Sequence, residues 1–286
     1  MAKRLIVTAD DFGLTVPVNE AIEAGHRRGI LTAASLMVAG EAAADAVTRA
    51  RALPRLGVGL HLVLVDGAPV LPPEEIPDLV GRDGRLRANV VAQGTRIFCS
   101  PAARRQAAAE IRAQLEAFRR TGLALDHVNA HHHFHLHPTV QRILIALAPE
   151  FAIRAIRVPY EPPFASWRRG TRGAAWLDAC LTARRARRLK RRLSAAGIAS
   201  NDCVFGMAHT GAMESAIVQR YLAALPDGVS EIYFHPALER PAVWPERYRS
   251  RGEFEALVDP ANAALIAKRG IAAINFAALD RVSSGG

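Results

Sequence analysis

Leu5-Ile6-Val7-Thr8-Ala9-Asp10-Asp11-Phe12-Gly13, followed at once by Thr15-Val16-Pro17, carries the pattern on which the fold is read. Its start is apolar without alternation, as expected of a strand covered on both faces of a parallel sheet. Two carboxylates end it. Thr15 and Pro17 then supply a cap and an early proline for a helix bearing Val18, Ile22 and Gly25 at helical spacing, stopped by Arg27-Arg28-Gly29.

The same unit recurs along the chain. Further apolar runs lie at Ser35 to Val38, Val58 to Leu64, Ile153 to Val158, Val204-Phe205, Ile232 to Phe234 and Ile271 to Phe276. Between them, Ser100-Pro101 starts a helix with Ile111, Leu115 and Phe118 on one face and Gly122 as its stop, before Leu123-Ala124-Leu125 leads into another strand. Alternation of this kind predicts an α/β fold with helical crossovers, and seven or eight strands favour closure into a TIM-like (β/α) barrel over an open sheet. With no internal repeat and no linker, residues 1–286 are expected to form a single domain. Pro69 to Pro77 and Tyr160 to Gly173 read as long loops, which in a barrel often cover the active site.

Composition agrees with a globular protein. The 286 residues are 50% hydrophobic, 22% charged and 6% aromatic, which excludes disordered and collagenous chains. No run of eighteen apolar residues is present, and Met1-Ala2-Lys3-Arg4 precedes no small-residue cleavage site, so a cytoplasmic protein is expected. Cys99, Cys180 and Cys203 are too scattered for a disulfide framework or a thiolate metal site. Lys and Arg number 37 against 27 Asp and Glu, giving +10, a charge that draws a protein toward polyanions.

The chemistry sits where the strands end. Asp10-Asp11 closes the first strand, His61 lies near the end of the third, and His131 and His235 follow later ones. These are carboxyl ends of parallel strands, the rim on which barrel enzymes place their catalytic groups. Asp11, His61 and His131 make a three-ligand set for one divalent ion, Zn²⁺ or an oxygen-preferring ion such as Mg²⁺, with a position left open. The same set resembles the facial triad of non-haem iron oxygenases, so ligand type alone leaves the reaction open. Successive strand residues point to opposite sides, so Asp10 is free for another task, that of a general base. A competing reading has Asp10-Asp11 cap the following helix.

His131-His132-His133-Phe134-His135-Leu136-His137 holds five of the ten histidines, and an extended backbone would set the odd-numbered four on one face. His235 is the candidate for protonating a leaving amine. Arg184-Arg185-Ala186-Arg187-Arg188-Leu189-Lys190-Arg191-Arg192 is a helix charged on every face but that of Ala186 and Leu189. It is either a solvated face or a contact for anionic lipid headgroups or phosphate backbones. With no RNA-reading aromatic motif, zinc finger or helix-turn-helix pattern beside it, nucleic acid is not the expected partner. Homo-oligomer formation stays open.

Thr8-Ala9-Asp10-Asp11-Phe12-Gly13, Gly59-Leu60-His61, Asp126 to Pro138 and His235-Pro236 together resemble the YdjC-like carbohydrate deacetylases, over residues 3 to about 280. Leu31 to Val38, His61 to Gly67, Leu71 to Pro77 and Arg157 to Pro163 resemble the hopanoid biosynthesis-associated HpnK branch of that family. The resemblance implies a distorted barrel and one divalent ion held by Asp11, His61 and His131. It implies removal of acetyl from an N-acetylglucosamine unit, in this branch one attached to a bacteriohopanetetrol lipid. Arg157 and Tyr160 are the candidates for substrate contact. Asn129 departs from the family pattern, which has Asp two residues before the first histidine of the cluster. A lipid substrate would also give the Arg184 to Arg192 helix a role, peripheral contact with an anionic inner membrane face.

Overall fold

The computed structural model describes residues 2–162 and 174–279, and among 174–180 the backbone alone. Its elements alternate as the sequence predicts. Strand β1 (Lys3–Phe12) leads to α1 (Val16–Arg28), β2 (Ala33–Leu36), α2 (Ala43–Arg51) and β3 (Gly57–Leu62). After a long excursion come α3 (Val90–Cys99), α4 (Pro101–Arg120), β4 (Val128–Ala130) and α5 (Pro138–Phe151). The chain ends with α6 (Ala174–Ala195), β5 (Cys203–Phe205), α7 (Ser215–Ala224), β6 (Gly228–Phe234), α8 (Ser250–Val258), α9 (Pro260–Lys268) and the two-residue β7 (Ala272–Ala273).

All strand pairs are parallel and the order is β4-β3-β2-β1-β6-β5. β7 takes the edge of β1 at Arg4 and Leu5 that β2, pairing only from Thr8 onward, leaves open. The two outer strands are joined through residues 154–160. Val128 donates its N–H to Ala155, Arg157 donates back to Val128, Ile156 donates to Ala199, and Val204 donates to Tyr160. The sheet therefore curls into a distorted barrel.

The Ile153 to Val158 run makes single bridges in place of the expected full strand, because a side chain takes over the ladder: Asn201 accepts from the N–H of Val158 at 2.8 Å and donates to its carbonyl at 2.9 Å. The run at Ile271 to Phe276 likewise shrinks to β7. The Tyr160 to Gly173 loop lies largely outside the described residues.

Helices start and stop where local chemistry says they should. Thr15 precedes α1, whose last turn carries His26, Arg27 and Arg28, and Val18, Ile22 and Gly25 are buried. The Ser100 hydroxyl caps α4 by accepting from Ala103 N at 3.2 Å, and Ile111, Leu115 and Phe118 face the core. On α6, Ala186, Leu189 and Leu193 are buried while Arg184, Arg185, Arg187, Arg188 and Arg191 are exposed. No helix among the described residues is long and apolar enough to cross a membrane.

Candidate metal centre and active site

The first site residues owe their position to a bulge. In the β1–β2 register Ala9 pairs with Ala34 and Phe12 with Leu36, so Asp10 and Asp11 together oppose Ser35 alone. Asp11 takes φ 62, a left-handed conformation that Asp tolerates better than most residues. Strict alternation is broken, and both carboxylates are buried, at 2% and 1% exposure. Neither caps α1; the N–H of Gly13 is held instead by Asn19 Oδ1 at 2.7 Å.

Asp11, His61 and His131 converge. Asp11 Oδ1 lies 3.1 Å from His61 Nε2 and 3.3 Å from His131 Nδ1, while its other oxygen accepts the indole N–H of Trp244 at 3.0 Å. His61 gives its Nδ1 proton to Asn129 Oδ1 at 2.7 Å, so on the neutral ring Nε2 carries a lone pair. Asp11 Oδ1 and His61 Nε2 are buried and lack any hydrogen-bond partner. Two orphaned acceptors facing one point, with a third ligand atom beside them, fit a divalent cation. Burial alone would raise the Asp11 carboxyl, but His131 and His61 outweigh it and hold it well below the usual range.

Asp10 stands beside this group in a separate cage. Arg157 sends Nη1 to Oδ2 at 2.6 Å and Nη2 to Oδ1 at 3.0 Å, and Asn129 Nδ2 donates to Oδ1 at 3.0 Å. Although burial opposes ionisation, Arg157 prevails and keeps the Asp10 carboxyl far below its ordinary range. The guanidinium also binds Glu231 Oε1, through Nε at 2.9 Å and Nη2 at 2.6 Å. Arg157 is 0% exposed, and its guanidinium also lies 5.2 Å from the centre of the Tyr233 ring. Tyr160 turns to α6, where Arg187 lies 5.2 Å above its ring and donates to its hydroxyl at 3.1 Å.

The histidine run does not stay extended. It leaves β4 at Ala130 and winds into a tight turn over His131–Leu136, with His132 and His133 both at φ 52. The four odd-numbered rings therefore take different partners: His131 meets Asp11, His133 lies edge-on to Tyr233 at 5.5 Å, His135 Nε2 donates to the Arg157 carbonyl at 3.0 Å, and His137 accepts at the start of α5. His235 follows β6, its N–H bound by Glu253. Burial lowers its imidazole despite the nearby carboxylates of Asp11 and Asp10, and its Nδ1 has no partner. Its ring lies 5.8 Å from that of Trp244.

A cleft of about 540 Å³ opens on this centre, lined among others by Asp11, His131, Trp244, Asp66, Arg85 and Gln114. Trp244, Glu231, Ser35 and His127 were not singled out from the sequence. Glu231 had a signal, as the one charged residue within the apolar strand Val229 to Phe234. Trp244 had none, since its role depends on a loop returning over Asp11.

A family model described as YdjC-like protein matches residues 4–268, and the chain belongs to that family. It is 41% identical over 157 residues to a carbohydrate deacetylase of Brevibacillus brevis, covering 55% of this chain and 60% of that protein. A carbohydrate deacetylase of Oceanobacillus iheyensis is 36% identical over 150 residues, covering 52% and 63%. The chain thus spans less than two thirds of the length of these relatives. A crystal structure from Enterococcus faecalis V583, of a protein described as a candidate for cellobiose-phosphate cleavage, superposes with TM-score 0.76 at 24% identity over 98% of this chain and 99% of that one. It shares the fold.

Proposed function

We propose that this chain is a metal-dependent carbohydrate N-deacetylase that removes acetyl from an N-acetylglucosamine unit. The observation that carries the reading is the convergence of Asp11, His61 and His131 beside the caged Asp10, with Asp11 and His131 lining one cleft. The carbohydrate deacetylases among its relatives support the substrate class.

Asp11, His61 and His131 would hold a divalent cation, which would supply Lewis acidity toward an amide carbonyl and a water. Trp244 occupies the other oxygen of Asp11, which leaves Oδ1 facing the two imidazoles. Asp10, kept ionised by Arg157, accepts the proton of the attacking water. Its basicity is low, and its strength is geometric: three hydrogen bonds fix both oxygens. His235 protonates the departing amine. Burial lowers its imidazole, and the proton it passes on is the one Asp10 took from the water, so both groups end as they began.

The finer reading follows the sequence stretches shared with the hopanoid biosynthesis-associated branch: the sugar is carried by a bacteriohopanetetrol lipid. The exposed arginines of α6 then rest on an anionic inner membrane face. Acetate release from N-acetylglucosaminyl bacteriohopanetetrol, run beside chito-oligosaccharide with the cation present, tests this. Release from the lipid alone is expected. Release from chito-oligosaccharide alone would leave a deacetylase of soluble sugars, and release from neither would overturn the function.

A further inference from the structure

A buried hydrogen-bond chain runs from the metal centre across the barrel interior, and its direction is fixed at the far end. The Asp126 carboxylate accepts the N–H groups of Phe276 at 3.3 Å and Ala277 at 2.8 Å, and His127 Nδ1–H at 2.9 Å. In the Nδ1–H tautomer His127 offers Nε2 as an acceptor, which takes the Ser35 hydroxyl proton at 3.0 Å. The Ser35 oxygen accepts from Asn129 Nδ2 at 2.8 Å. Asn129 donates its second N–H to Asp10 and accepts from His61, leaving His61 Nε2 aimed at Asp11. Every donor in this chain meets one acceptor.

The barrel is cleared for it. A Cβ at Gly57 would sit 2.6 Å from Asp126 Cγ, and one at Gly59 2.4 Å from the His127 ring. Two glycines on the face of β3 that also carries His61 make room for these two side chains. The opposite face of the His127 ring stacks on Phe276 at 4.3 Å.

We propose that Asp126, His127 and Ser35 are positioning residues that set the direction of the Asn129 amide, so that one side chain serves His61 and Asp10 together. Were the amide reversed, its oxygen would face the Asp10 carboxylate and its N–H groups the His61 nitrogen, releasing the His61 proton to Nε2 where the cation belongs. An Asp at position 129 would accept from His61 but could not donate to Asp10. The inference rests on the metal-site reading, though not on any substrate.

Two measurements test it. ¹⁵N NMR of metal-free wild-type protein in alkaline buffer reads the ring protons: His127 and His61 are both expected as Nδ1–H tautomers, and an Nε2–H tautomer at either would overturn the chain. Ser35→Ala removes only the hydroxyl; its Zn²⁺ dissociation constant, measured by competition with a chromophoric chelator, is expected to rise at least about tenfold. The His61 signals should then report mixed tautomers, and Ser35→Thr, which keeps the oxygen, should restore both. Unchanged Zn²⁺ affinity with an unchanged His61 tautomer in Ser35→Ala would make the chain mere packing. Wild-type protein that binds no Zn²⁺ would sink the metal-site reading itself, and absence of acetate release would sink only the proposed reaction.

Discussion

Asp11 shows how one backbone conformation sets up the centre. Its positive φ and the bulge around it turn two adjacent carboxylates inward, where they take different partners. Different consequences are expected. His131→Ala should lose the bound cation, read by metal analysis after dialysis, and full occupancy would refute the ligand set. Asp10→Asn should keep the cation and lose turnover; retained acetate release would remove Asp10 from the base role. Arg157 joins two buried carboxylates, so Arg157→Met strands both charges and should cost about 3–5 kcal/mol in denaturant unfolding. A loss below about 1 kcal/mol would mean that the pair is hydrated or protonated. His135 adds a pH dependence: burial, helped by Arg157, lowers its imidazole to about 3. The unfolded chain takes up a proton near pH 6.5 that the folded one refuses until about 3, so stability falls as pH falls through that window. His135→Gln should flatten the slope there by about 1.4 kcal/mol per pH unit, and an unchanged slope would place the ring in water.

At the scale of elements, the strand-to-helix alternation was legible because buried parallel strands are apolar throughout and helix ends carry their own punctuation in Thr15, Pro17 and Ser100. The grouping of Asp11, His61 and His131 was legible because all three stand at or near the ends of parallel strands, which meet at one rim. Geometry between elements was not. Alternation along the histidine run assumed an extended backbone, whereas His132 and His133 turn left-handed as the chain swings from β4 into α5. Arg157 reads in the sequence as a candidate for substrate contact, and only the barrel brings Asp10 and Glu231 to it. The basic helix α6 was legible as a surface: its arginines are exposed and its Ala186 and Leu189 buried. If it rests on anionic lipid, replacing Arg184, Arg185, Arg188 and Arg191 together with glutamine should weaken binding to phosphatidylglycerol vesicles by about 1 kcal/mol for each. Binding unaffected by the substitutions or by added salt would count against that surface.

Across the whole molecule, β1 lies inside the sheet and the strands on both its sides supply one centre. His61 and His131 come from β3 and the turn after β4 on one side, His235 and Glu231 from β6 on the other, and Trp244 from a loop beyond. Parallel strand ends bring these groups to one rim, where Asp11, His131 and Trp244 line a single cleft. Acetate release from an N-acetylglucosaminyl substrate by metal-stripped protein, titrated with Zn²⁺, tests that arrangement directly. No acetate before the cation is added, and activity that saturates at one ion per chain, is the expected result. Acetate release at full rate without a cation would contradict it.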